Sequence, residues 1–176
     1  MVAYCFGAGE DITFDMELWN RGLFVRTADP TPRAISHVQC TAPNDERFKF
    51  LPTALWSTNT SLRLFEPADP THVSFSALNI QNTLGFFDAD AMSLDSFLDH
   101  FGDRSVDIVK MDIEGAELPV LLSWTAEMIL PQVLAVEFDK PWPYGPLIKT
   151  IHHVQKLGYR PVKSEGLTVL FVSSNH

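Results

Sequence analysis

Only two cysteines occur in the 176 residues, Cys5 and Cys40, and neither stands in a CxxC or Cys/His spacing. Zinc and redox motifs are therefore absent. Cys5 lies in an apolar segment and reads as a small buried filler. Basic residues are also scarce: 13 Lys and Arg face 22 Asp and Glu, for a net charge of −9, and no basic run is present. Such a surface repels phosphate backbones, which disfavours general nucleic-acid binding. No window reaches the roughly 18 apolar residues that span a bilayer. The start, "MVAYCFGAGED", has no basic segment before a long apolar stretch, so it does not read as a signal peptide. The expectation is a soluble, cytoplasmic protein without internal repeats.

What is present is ordinary globular composition, 45% apolar and 20% charged, in a length that favours a single domain over 1–176. Short apolar runs alternate with helical patterns. "VAYCFG" (2–7) and "LFVRTAD" (23–29) read as buried strands, with a helix between them from Asp11 to Gly22. A short helix follows from Pro32 to about Val38, since Pro suits a first helical turn. A third strand is expected around Thr53–Trp56, and 61–67 alternates like a hairpin arm. Residues 67–90 read as a long ordered loop. Ser93 caps a helix that ends at Gly102. Then come a strand over 106–112, a helix from Ala116 to Met128, a strand over 132–138 and a helix over 145–158. Two closing strands flank Ser164–Gly166. Alternation of this kind predicts an α/β fold with a mainly parallel sheet covered on both faces and one antiparallel member.

In such sheets ligands bind beyond the carboxyl ends of the strands. "FGAGED" puts Gly7, Ala8 and Gly9 at the end of the first strand, where glycine lets a ligand approach the backbone. Asp29 closes the second strand about 20 residues later, a spacing suited to gripping ribose hydroxyls. The third glycine of a dinucleotide fingerprint is replaced by Ile12. That substitution, with no recognisable Tyr/Lys or Cys/His set, weakens a nicotinamide-dependent oxidoreductase. A nucleoside without phosphates fits better. At the end of the 106–112 strand, Asp112, Glu114 and Gly115 leave the core for the crevice, and Glu117 falls in the next helix's first turn.

"VDIVKMDIEGAE" (106–117) resembles the signature of the FkbM family of S-adenosylmethionine-dependent methyltransferases. "YCFGAGEDITFD", "ADPTP", "ALWSTNTSLRLFEPADPTHVSFSALNIQ" and "LAVEF" match in the family's order, so the likeness covers nearly the whole chain. It implies the Rossmann-like methyltransferase three-layer sandwich, with a mostly parallel seven-stranded sheet and an antiparallel last strand. It implies S-adenosyl-L-methionine as cofactor and O-methylation of a hydroxyl on a sugar, glycan or natural product. Carried over by position, Gly7, Ala8 and Gly9 line the cofactor's methionine end, Asp29 holds the ribose, Trp56 and Ser57 lie near the adenine, and Asp112 closes the site. Where many members carry an acid two residues before the first glycine, this chain has Cys5; Glu10, Asp112 or a backbone carbonyl then has to meet the cofactor's ammonium. The sequence starts directly at the first strand, so the segment that often precedes it in the family is either absent or cut away, and a homodimer is compatible with the family.

Methyl transfer to a hydroxyl gains from a general base. The candidates are Asp112, Glu114, His72 and Glu137. In extended backbone Asp112 and Glu114 point to one side at i, i+2, and paired carboxylates push one pKa up. Glu114 can instead cap the next helix or pair with Lys110, and the pair could hold a divalent cation; no metal is assigned. His152 and His153 read as surface residues. The alternative reading is a non-catalytic S-adenosylmethionine-binding module of the same fold.

Overall fold

A computed structural model describes residues 1–67, 75–79, 82–138 and 143–174. The chain begins with β1 (Val2–Phe6), α1 (Thr13–Asn20), β2 (Phe24–Ala28), α2 (Pro32–Thr41) and β3 (Phe48–Leu51). Three strands follow, β4 (Ala54–Leu55), β5 (Thr60–Phe65) and β6 (Phe86–Met92), then α3 (Leu94–Phe101) and β7 (Ile108–Met111). The chain closes through α4 (Glu117–Ser123), β8 (Val133–Glu137), α5 (Tyr144–Lys156), β9 (Tyr159–Glu165) and β10 (Thr168–Ser173).

Seven strands form one sheet in the order β3-β2-β1-β7-β8-β10-β9. Pairing is parallel from β3 through β8, and β10 is antiparallel to both its neighbours. Strand order reverses between β1 and β7, which places a crevice at their carboxyl ends. Successive side chains of a strand face opposite ways, and β1 divides its residues accordingly. Tyr4 and Phe6 join Phe97 and Leu98 of α3, Leu118 and Leu121 of α4 and Val154 of α5. Ala3 and Cys5 join Leu18 of α1 and Ala34 and Val38 of α2. The result is a three-layer α/β sandwich, as the sequence leads one to expect. No helix among the described residues is long and apolar enough to cross a membrane.

Several boundaries differ from expectation. The third strand of the sheet is Phe48–Leu51, not Thr53–Trp56. Pro52 has no N–H to continue a ladder, so the chain turns there, with Thr53 N–H donating to Leu51 O at 2.8 Å. Ala54–Leu55 then enters a second, three-stranded sheet ordered β4-β6-β5. Its member β6 lies at the end of the expected 67–90 loop. Asp88 and Asp90 make it unlike a typical strand, yet it pairs with β5 over six residue pairs from Thr60↔Ala91 to Phe65↔Phe86. α4 stops at Ser123 instead of Met128, because Trp124 turns to extended backbone and buries its ring in the core. On α5, His152 is exposed, whereas His153 is half-buried with Nε2 2.9 Å from Trp124 O.

On the α3 face the core accepts a buried ion pair. Arg26 Nε donates to Asp103 Oδ2 at 3.0 Å, and the Tyr4 hydroxyl donates to the same oxygen at 2.8 Å. The guanidinium lies 5.2 Å from the Phe101 ring centre and 5.7 Å from that of Phe24. Burial, reinforced by Asp103, pushes the Tyr4 phenol above its usual range, so it stays a neutral donor. Removing one partner strands a buried charge, so Asp103→Ala should cost about 3–5 kcal/mol. Urea unfolding measures this; a loss below about 1 kcal/mol, the scale of an exposed pair, would contradict it.

Candidate active site

Three turns meet at the carboxyl ends of β1, β2 and β7. Their closest approach is made by Gly7, at φ +87°. A Cβ placed there would stand 1.7 Å from the backbone oxygen of Asp112. Gly7 is therefore required first by the neighbouring strand, not only by a ligand. Lys110 ties the two turns from below: its Nζ donates to Gly7 O at 2.8 Å and lies 3.3 Å from Asp112 Oδ2.

Asp29 binds the first turn to the second. Its Oδ2 accepts from the N–H groups of Ala8 (2.9 Å) and Gly9 (3.0 Å). Its Oδ1 accepts from Thr31 N (2.8 Å) and Thr31 Oγ1 (2.6 Å). Two donors per oxygen use about the whole capacity of a carboxylate. Asp29 thus organises the glycine turn, and ribose hydroxyls would have to share with or replace these donors.

The third turn carries Glu114 at φ +52°, a left-handed conformation rare for a residue with a side chain. The extended i, i+2 arrangement expected for Asp112 and Glu114 does not hold, because β7 ends at Met111. The turn itself brings both residues to the same cleft. Glu117 holds it in shape: fully buried, its Oε1 accepts from Ile113 N and Gly115 N at 3.1 Å each. The contact of Lys110 with Asp112 and the turn-building role of Glu117 were not recognisable in the sequence. The one signal was a charged residue interrupting otherwise apolar strand and helix positions.

Around these turns lies a cleft of about 370 Å³ lined by Gly7, Ala8, Gly9, Asp29, Asp112 and Glu114, among others. Glu10 also lines it, with Arg33 Nε donating to its Oε1 at 3.0 Å. The lining also includes apolar side chains, among them Ala54 and Leu55 of β4 and Leu62 and Leu64 of β5. Trp56 and Ser57 are not among the lining residues; Trp56 packs against the larger core cluster, and its N–H donates to Met92 O at 2.9 Å. Glu137 also lies away from the lining, with Thr168 Oγ1 3.5 Å from its Oε2. His72 falls outside the described residues.

Beneath the glycine turn sits Asp15, nearly fully buried and accepting from Thr27 Oγ1 at 2.5 Å. Cys5, also buried, lies on the same face of the sheet, and burial chiefly pushes its thiol well above its ordinary range. At the Cys5 position, where the resemblance leads one to expect an acid, the chain thus carries an uncharged group, and a carboxylate enters the same layer from α1.

Carboxylates at Glu10, Asp29 and Asp112 thus share one cleft with the apolar side chains of β4 and β5. Two expectations follow from the packing alone. Gly7→Ala should lose about 1–2 kcal/mol from backbone conformation and more from the clash with Asp112 O; a thermal melt unchanged from the wild type would contradict the close approach. For Asp15, burial raises the carboxyl above its ordinary 3.8, outweighing the Thr27 hydrogen bond and Lys110. The folded chain then binds that proton more tightly than the unfolded one, so this contribution to stability is complete below 3.8 and is lost as pH rises toward the folded value. Asp15→Asn should therefore stabilise the fold at pH 7 and by less at pH 4. Melts at both pH values read this, and equal shifts would contradict it.

No curated protein matches the sequence. Among solved structures, the chain is similar to a Burkholderia thailandensis 1,6-didemethyltoxoflavin-N1-methyltransferase bound to 1,6-didemethyltoxoflavin and S-adenosylhomocysteine. The two are 14% identical with a TM-score of 0.42, over 97% of this chain and 68% of that one. The model of the methyltransferase FkbM domain matches residues 9–161. That match covers most of the sequence: the chain belongs to the FkbM methyltransferase family, whose methyl donor is S-adenosylmethionine.

Proposed function

We propose that this S-adenosylmethionine-dependent methyltransferase acts on a hydroxyl oxygen of a small acceptor, within a single domain formed by residues 1–176. The observation that carries the reading is the convergence of Gly7–Gly9, Asp29 and Asp112–Glu114 on one cleft. When bound, S-adenosylmethionine supplies an electrophilic methyl group. The chain's own task is to hold the acceptor in line and take up its proton, and positioning accounts for much of the rate. Asp112 and Glu114 stand at the cleft as carboxylates able to accept that proton. Lys110 beside Asp112 fixes its orientation from below. Asp29 keeps the glycine turn in register with the end of β2. Glu137, away from the lining, has the weaker claim to a proton-transfer role, and Trp56 and Ser57 have the weaker claim to the adenine.

The test pairs binding with turnover. Calorimetry should show saturable binding of S-adenosylhomocysteine, and methyl-labelled S-adenosylmethionine should transfer label to a hydroxylated acceptor. Binding without transfer to any acceptor in a broad panel would favour a non-catalytic module. Asp112→Asn should lower kcat by about 100-fold or more, the scale of a lost general base. Its stability should change by no more than about 1 kcal/mol, since the Lys110 pair is partly exposed. Full turnover in that variant would remove Asp112 from the chemistry.

A further inference from the structure

The second sheet is more than an appendage to the first. From β4, beside the end of β3, it extends through β6 to β5, and a bridge continues it to Ser76. Phe65 N donates to Ser76 O at 2.8 Å, and Ser76 N donates to Phe65 O at 3.1 Å. Ser76 Oγ then donates to the backbone oxygen of Glu114 at 2.6 Å and accepts from Leu78 N at 3.2 Å. The sheet therefore arches over the cleft from the β3 side and is pinned on the acidic turn after β7.

This arch divides the cleft's apolar lining. Ala54 and Leu55 follow directly on the end of β3, where Asp29 N donates to Leu51 O at 3.3 Å, and we assign that side to the nucleoside. Leu62, Leu64, Phe75 and Ala77 belong to the far half of the arch, which closes on Glu114. None of those four side chains carries a hydrogen-bonding group. Phe75 is fixed by an edge-to-face contact with Phe87, ring centres 5.2 Å apart. A polyhydroxylated ring set against these four side chains would find no partner on them for the hydroxyls it turns their way, which is costly. An apolar ring would lose nothing and gain contact.

We propose that the acceptor presents its reacting hydroxyl on an apolar ring, and that the arch of Leu62, Leu64, Phe75 and Ala77 receives that ring beside Asp112 and Glu114. Sugars and glycans are then the disfavoured acceptors. The inference rests on the methyltransferase reading above and narrows its substrate class.

The test uses the full chain saturated with S-adenosylhomocysteine, titrated with 2-naphthol and, separately, with methyl glucoside. Naphthol should bind at least about tenfold more tightly, the scale at which an apolar pocket discriminates. Phe75→Ala should weaken naphthol about tenfold while S-adenosylhomocysteine affinity stays within about twofold, and Phe75→Leu should recover part of the loss. Equal or tighter binding of the glucoside, or no binding of naphthol, overturns the proposal. So does a Phe75→Ala variant that weakens S-adenosylhomocysteine as much as naphthol, because the wall would then belong to the nucleoside. Failure of the wild-type chain to bind S-adenosylhomocysteine at all would instead sink the methyltransferase reading, and that arm is measured first.

Discussion

The structure depends on how closely the ends of β1 and β7 approach each other. With no side chain at Gly7, the Asp112 carbonyl occupies the space a Cβ would need. Lys110 bridges the two backbones, and Asp29 draws the glycine turn toward β2. Three strand tips are thereby held to one another by hydrogen bonds within the chain itself. Such preorganisation lowers the ordering cost of binding and keeps reactive groups in place.

Around that junction the charges are compensated locally. Asp112 has Lys110, Glu10 has Arg33, and Asp29 has four donors from backbone and Thr31. Glu117 uses its carboxylate to shape the turn that carries Glu114. The acidic stretch after an apolar strand is thus two kinds of residue interleaved. Glu117 is buried and builds the turn, whereas Asp112 and Glu114 reach the cleft.

Much of this was legible in the residues. Continuous apolar strands at 2–7, 23–29 and 132–138 indicated a parallel sheet, because only strands buried on both faces lack polar alternation. Gly7, Asp29 and Asp112 were recognisable because glycine and acid residues stand at strand ends, where core residues are not required. The second sheet was legible only in part: strands were expected around Thr53–Trp56 and over 61–67, where β4 and β5 lie, but not that they form a sheet of their own. β6 carries acids on an exposed surface, so it does not show the pattern of a buried strand. The roles of Lys110 and Glu117 were hidden for a different reason: they follow from three-dimensional partners 103 and 4 residues away, which periodicity does not encode.

The central claim is that one ligand engages all three strand tips together. Hydrogen–deuterium exchange of the full chain with and without S-adenosylhomocysteine tests it most directly. The account predicts added protection in the turns after β1, β2 and β7 at once, rising with one binding curve. Protection confined to one of those turns, or appearing away from all three, would contradict it.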